Sequence, residues 1–408
     1  MTQAFSGIRV LDFTQVLAGP FATQQLAVLG ADVIKIEQPG TGDQTRGLMN
    51  ARAAAGPGMS PSFLTCNLNK RSLALDLKAP EAIGIVHELV AGSDVVVENF
   101  RPGVMARLGL DQAALRALRP DLVYCSISGY GQHGPRADTA AYDGAIQADS
   151  GMMAITGHPE TGPTRTGYMP VDMATALNTA FVLAAALYRR LATGAGQYLD
   201  VAMMDTAMVL QAPQVSNHLV NGDTPGLIGN RSPTGQPTAN VFRSADGYIQ
   251  VIALRDAQIR GLFEALGCAE ALADPRYATL EARIAHYDEI VEFLQGRLAS
   301  RGTAEWVAQL AGHGVPAAPI RTLPDAVRDR QFESRRVFAD VPSPRGVGTV
   351  RVVQAGHAAD QDGPETRRPA PALGEHSAEI LGALGYTPGA IRDLAARGVV
   401  QLGAEADS

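Results

Sequence analysis

Over its first third the chain alternates apolar, β-branched runs with segments of helical periodicity. The order is IRVLDF, PFATQQLAVLG, ADVIKIE, SLALDLK, PEAIGIVHELVAG, SDVVVENF, a helical stretch from Gln112 to Ala117, then LVYCSIS. Strands that are apolar throughout belong inside a sheet covered on both faces, and helices between them make parallel crossovers. The fold class is therefore α/β. Pro20 and Pro80 stand where helices begin, which suits a residue with fixed φ and no N–H. With 408 residues, 46% of them hydrophobic, the chain is long enough for two domains.

Farther on, TGYMPVDMATALNTAFVLAAALYRR places one carboxylate, Asp172, at the front edge of an apolar helix. An Asp there caps free amides, and spacing alone reads it so. The apolar run from Met173 to Tyr188 is short for a bilayer and carries Asn178 and two threonines, so it reads as a buried helix with no membrane anchor. A strand and a helix follow in GQYLDVAMMDTAMVLQA. The Gly/Pro/Asn-rich NGDTPGLIGNRSPTGQPT then marks a crossover into a smaller α/β unit from about Phe242 to Ile320. The tail from Phe338 has short strands, the Pro-rich RRPAPALG and a helical end.

A net charge of −7 argues against nucleic acid as a partner, which would call for a basic surface. Cys66, Cys125 and Cys268 are odd in number and far apart, so neither disulfides nor a thiolate metal site is indicated. A reducing cytoplasm fits, and the N-terminus has no secretory pattern. Gly129 to Gly134 matches GxGxxG after a strand, but Pro135 and PRADTAAYD follow where a dinucleotide fingerprint needs a helix. GxSxG and GxxxxGK are missing, and the eight histidines form no HExxH, so a metal site is not supported. His133, His158 and His376 sit in loop contexts. Basic residues gather locally: Lys70 and Arg71 before a strand, Lys78 at its end, and Arg101 and Arg107 after SDVVVENF. Strand C-termini of a doubly wound sheet line one edge, where ligands bind, so Lys78, Arg101 and Arg107 are candidates for a phosphorylated ligand; solvated surface charge fits them equally.

The run from VLDFTQVLAGP to TGDQTR, then NKRSLALDLK, VVVENFRPGVMARLG, YCSISGYGQHGP, YDGAIQADSG, Asp172, GVPAAPI and LGEH resembles the family III CoA-transferases, the superfamily of formyl-CoA transferase, carnitine CoA-transferase and α-methylacyl-CoA racemase. The resemblance runs in order along nearly the whole chain. It implies an interlocked homodimer. Each chain would have a large Rossmann-like CoA-binding domain from both termini (1–225 and 331–408) and a small domain at 226–330. It also implies a CoA thioester as substrate, with no tightly bound cofactor and no metal. Asp172 matches the aspartate that attacks the thioester. Gln15, Val16, Leu75, Lys78, Asn99, Phe100 and Arg107 fall on positions lining the CoA or acyl site. Gly235 and Gln236 match the end of a loop that closes over the intermediate.

Against formyl-CoA:oxalate CoA-transferase the chain differs at Gln15, Leu17, Gln38 and Ala140, and the glycine run shrinks to Thr234-Gly235. In the racemase branch the catalytic histidine position holds Tyr142, also a candidate substrate-binding residue, and the small-domain glutamate position holds Arg255. Tyr, with a reference pKa near 10, is a poor base at neutral pH, so transfer is favoured over proton exchange. The transfer chemistry needs Asp172 ionised, which a helix N-terminus encourages, so cap and nucleophile are compatible. Amides near Gln15 to Leu17 and at Gly235 are the candidate oxyanion donors. Arg165 and Tyr168 are candidates for the distal carboxylate of a dicarboxylate such as succinate.

Overall fold

The computed structural model of the chain describes residues 3–48, 58–343 and 348–403. The chain divides into two units, one of Met1–Met152, Thr166–Gly222 and Arg330–Ser408, the other of Met153–Arg165 and Asp223–Asp329.

The first unit is built on a seven-stranded sheet of β1 (Arg9–Asp12), β2 (Asp32–Glu37), β3 (Arg71–Leu75), β4 (Val95–Glu98), β5 (Val123–Ser128), β6 (Tyr198–Ala202) and β7 (Val400–Gln401). Its spatial order is β7-β3-β2-β1-β4-β5-β6, parallel except for β7, which runs antiparallel to β3. Both faces are buried, which is why the strands are apolar throughout. Leu11, Ile34, Leu73, Val96 and Tyr124 point into one core; Val10, Val33, Val95, Val97, Val123 and Cys125 point into the other.

Helices cover both faces. The four used below are α1 (Ala18–Ala27), α2 (Pro80–Ala91), α3 (Asp143–Asp149) and α4 (Pro170–Thr193). Proline opens α2 and α4, but α1 starts at Ala18, ahead of Pro20. α1 packs tightly enough on the loop after β1 that a Cβ on Gly19 would lie 2.3 Å from Thr14 Cβ. α4 has 24 residues and ends at Gly194, whose φ of +72° suits glycine. It is therefore longer than its apolar run suggests, and by length and composition is apolar enough to cross a membrane. Within this unit it packs on α1 and buries Val171, Thr175, Ala176, Thr179, Leu183 and Leu187.

The second unit has a three-stranded antiparallel sheet (Ala239–Arg243, Tyr248–Ile252, Ala317–Pro319). Its own core includes Phe242, Ile249, Val251, Leu262, Phe263 and Trp306.

Candidate functional site

The sheet order reverses direction between β1 and β4, so the chains leaving those strands diverge and open a crevice at their C-terminal ends. A cavity of about 270 Å³ lies there. Of the residues singled out from sequence, it brings together Gln15 and Val16 after β1, Asn99 and Phe100 after β4, Tyr142 before α3, and Asp172 on α4.

Each is held for a local reason. Asn99 clamps the loop after β1 by accepting the Gln15 N–H and donating to the Gln15 carbonyl, both at 2.8 Å. Val16 sits at φ +71°, a conformation that costs a β-branched residue of order 1–3 kcal/mol and that the surroundings must impose. One constraint is Asp43 Oδ1, which accepts the Val16 N–H at 3.2 Å. Asp43 in turn pairs with Lys35 at 2.9 Å, both side chains fully buried, and Lys35 donates to the Thr14 carbonyl at 2.7 Å. Behind them Lys70 meets Asp12 at 2.8 Å, also without solvent exposure. Burial alone would raise the Asp12 carboxyl, yet Lys70 and Lys35 hold it at about 2; burial pulls Lys70 down to about 8. Lys70 is thus part of a buried scaffold under the cavity and not of a surface cluster, and Arg71 pairs with Asp32 at 2.7 Å.

Asp172 lies in the first turn of α4 but does not cap it. The cap is Asp143, whose Oδ2 accepts the backbone N–H groups of Val171 at 2.9 Å and Asp172 at 3.0 Å. Asp143 is fixed by Gln147, which also accepts from the Thr166 N–H at 3.1 Å. No local pattern marks Asp143 as a cap, because it acts across 28 residues of chain. Among the described residues nothing hydrogen-bonds the Asp172 carboxylate. Burial, then the negative charge of Asp143, pushes its pKa up to about 7. The helix end that was expected to favour the anion is thus outweighed. Near Asp172 in sequence, Met173 and Ala176 pack with Phe21, Ala22 and Cys66 in a small apolar cluster.

The expected oxyanion donors are mostly engaged. Besides Gln15 and Val16, the Gly235 N–H is bonded to the Ser232 carbonyl at 2.9 Å. The first turn of α1 carries no side-chain cap, and Leu17 and Ala18 line the cavity.

Other candidates lie elsewhere. Leu75 is 1% exposed and packs in the core beside β7. Lys78 follows β3, two strands from the crevice, and is exposed. Arg107 is exposed at the end of the short helix Val104–Arg107. Gln236 is buried in the second unit, where its Oε1 accepts from Arg283 at 3.1 Å. The glycine-spaced turn after β5 leads into loop, not helix. His376 accepts the Ser72 N–H at 3.3 Å. Among the described residues no cluster of three or more His, Cys, Asp or Glu is arranged for a metal ion. Burial pushes the Cys66 thiol up to about 12, which leaves it unreactive near neutral pH.

A family model described as CoA-transferase family III matches residues 5–377. The chain is 38% identical to the succinate–glutarate CoA-transferase of Agrobacterium fabrum, covering 93% of this chain and 95% of that one. It is 35% identical to the formyl-CoA:oxalate CoA-transferase of Streptomyces avermitilis, covering 98% and 100%. A crystal structure of a CAIB/BAIF family protein from Brucella suis superposes with a TM-score of 0.85 at 34% identity, covering 94% of this chain and all of that one. An acidic helix terminus at the switch point of a parallel sheet and a family match spanning nine-tenths of the chain lead to one conclusion: the chain belongs to CoA-transferase family III, enzymes that move CoA from an acyl thioester to a free carboxylic acid.

Proposed function

We propose that Asp172 is the nucleophile of this transfer and that the cavity it faces is the reaction chamber. The observation that carries the reading is its carboxylate, free of hydrogen bonds among the described residues and open to the cavity, because Asp143 satisfies the helix amides in its place. A carboxylate oxygen of Asp172 attacks the thioester carbonyl and expels CoA thiolate, leaving a mixed anhydride. The thiolate attacks the aspartyl carbonyl and releases the donor acid. The acceptor carboxylate then attacks the aspartyl-CoA thioester, and the returning thiolate frees Asp172. A tetrahedral oxyanion forms at each of these four additions, beside the uncapped start of α1, where the Leu17 and Ala18 amides replace the engaged ones as donors.

Dicarboxylates are the proposed acids, with succinyl-CoA as donor and glutarate as acceptor, by analogy with the Agrobacterium enzyme. Arg165 and Tyr168 remain the candidates for a distal carboxylate, and Lys78, Arg107, Gly235 and Gln236 for CoA. The working form is proposed as an interlocked homodimer whose large domain combines both termini. Leu177, Phe181, Tyr188 and Leu191, exposed along one side of α4, offer apolar surface to a second copy. A cytoplasmic location accords with three buried free thiols.

The test is Asp172→Asn together with hydroxylamine trapping. The variant should lose transfer by 10³-fold or more, about the scale of a lost nucleophile, and the trapped adduct of the wild-type protein should map to residue 172. Transfer near wild type in the variant overturns the reading.

A further inference from the structure

Gln147 lies one turn after Asp143 on α3, on the same face, and is fully buried. Its carboxamide is engaged at both ends: Nε2 donates to Asp143 Oδ1, and Oε1 accepts the Thr166 N–H at 3.1 Å. The Thr166 hydroxyl in turn donates to the Tyr168 carbonyl at 2.9 Å, closing the turn that leads into α4. The other oxygen of Asp143 holds the Val171 and Asp172 amides of that same helix. Met169, at the cap position of α4, supplies no side-chain hydrogen bond. The entry to α4 is therefore secured by α3 at two points, Thr166 and Val171–Asp172, and the Gln147 carboxamide touches the groups at both. Gln147 does not line the cavity, so whatever it does for the reaction it does through Asp143 and the turn.

We propose that Gln147 is a positioning residue for the transfer: by holding Asp143 and the Thr166 backbone in one geometry, its carboxamide fixes where the Asp172 carboxylate stands in the cavity.

A buried site that needs a donor on one side and an acceptor on the other is matched by an amide in one orientation. A carboxyl of the same shape matches it when protonated, its O–H serving Asp143 and its C=O the Thr166 N–H. Once ionised it has only acceptors and sets a second negative charge against Asp143. Burial and that charge both favour the protonated form, so a carboxyl placed here keeps its proton to a higher pH than an ordinary one. Among the described residues the cations nearby in sequence lie outward: Arg165 is exposed, and Arg136 is paired with Asp149 at the far end of α3. Asp172 and, on the packed helix Met203–Leu210, the exposed Asp205 are acids and oppose ionisation.

The inference rests on Asp172 being the nucleophile. It is tested in the full chain by kcat/KM with succinyl-CoA and glutarate, from about pH 6 to about pH 9. Gln147→Leu, which keeps the bulk but neither polar end, should lose about 10²-fold at every pH, the scale of a misplaced reacting group. Gln147→Glu should recover most of that loss at the acid end of the range and give it up again at the alkaline end, relative to the wild type at each pH. A ratio of Gln147→Glu to wild type that stays constant with pH, at any level, overturns the proposal, and so does wild-type kcat/KM in Gln147→Leu. If Gln147→Leu does not fold, the Gln147→Glu ratio decides alone. Failure of the Asp172 reading shows instead as transfer retained in Asp172→Asn.

Discussion

Asp143 Oδ2 accepts the backbone N–H of Asp172 at 3.0 Å, so the carboxylate that closes the start of α4 and the carboxylate that faces the cavity belong to different residues. Division of labour follows: one acid spends its lone pairs on structure, and the other is left without a hydrogen bond among the described residues, as the proposed nucleophile requires. The same proximity adds to burial in weakening the acidity of the second.

With Asp172 raised to about 7 in the free protein by burial and by Asp143, and the proposed attack requiring the anion, kcat/KM should climb with pH through about 7 and then level off. Asp143→Asn removes the negative neighbour while keeping an oxygen for the amides. The rising limb of the kcat/KM profile should move to lower pH, a direction that a purely structural defect would not produce.

Asn99→Ala frees the Gln15 main chain from both of its 2.8 Å hydrogen bonds. A misplacement of about 1 Å in a loop lining the chamber costs roughly 10²-fold in rate. Steady-state kcat should fall by that order, while the circular dichroism spectrum stays that of the wild type.

Lys70→Met leaves Asp12 buried with its main counter-charge gone. Removing one partner of a fully buried pair costs about 3–5 kcal/mol. The midpoint of urea unfolding should drop accordingly, and Lys70→Arg, which cannot fit the same three acceptors, should recover little of it.

Val16→Gly relieves a left-handed β-branched residue. Stability should rise by up to about 1 kcal/mol, read from the same unfolding curves, and kcat should fall as the loop loses a fixed conformation.

The sheet was legible because each strand is buried on both faces and so advertises itself as an apolar run, as in Val95–Val97 with neighbours in opposite cores. The loops after β1 and β4 were legible through the motifs they carry. Long-range polar pairing was not. Lys70 sits beside Arg71 in sequence and looks like surface charge, yet its partner Asp12 is 58 residues away in a strand that reads as plain core. Asp143 lay within a recognised motif, but its role depends on a helix that begins 27 residues later. Glu98 ends a strand whose apolar pattern gives no sign of a buried acid, which burial pushes up to about 7.

The antiparallel strand β7 has a kinetic corollary. Its pairing of Val400 with Leu75 spans most of the chain, and the whole second unit is synthesised in between. The flank of β3 therefore stays open on the nascent chain until β7 emerges, while the inserted unit is free to fold earlier. Such distant closure is slow, and the waiting flank is the natural place for a chaperone to engage or for misassembly between chains to begin.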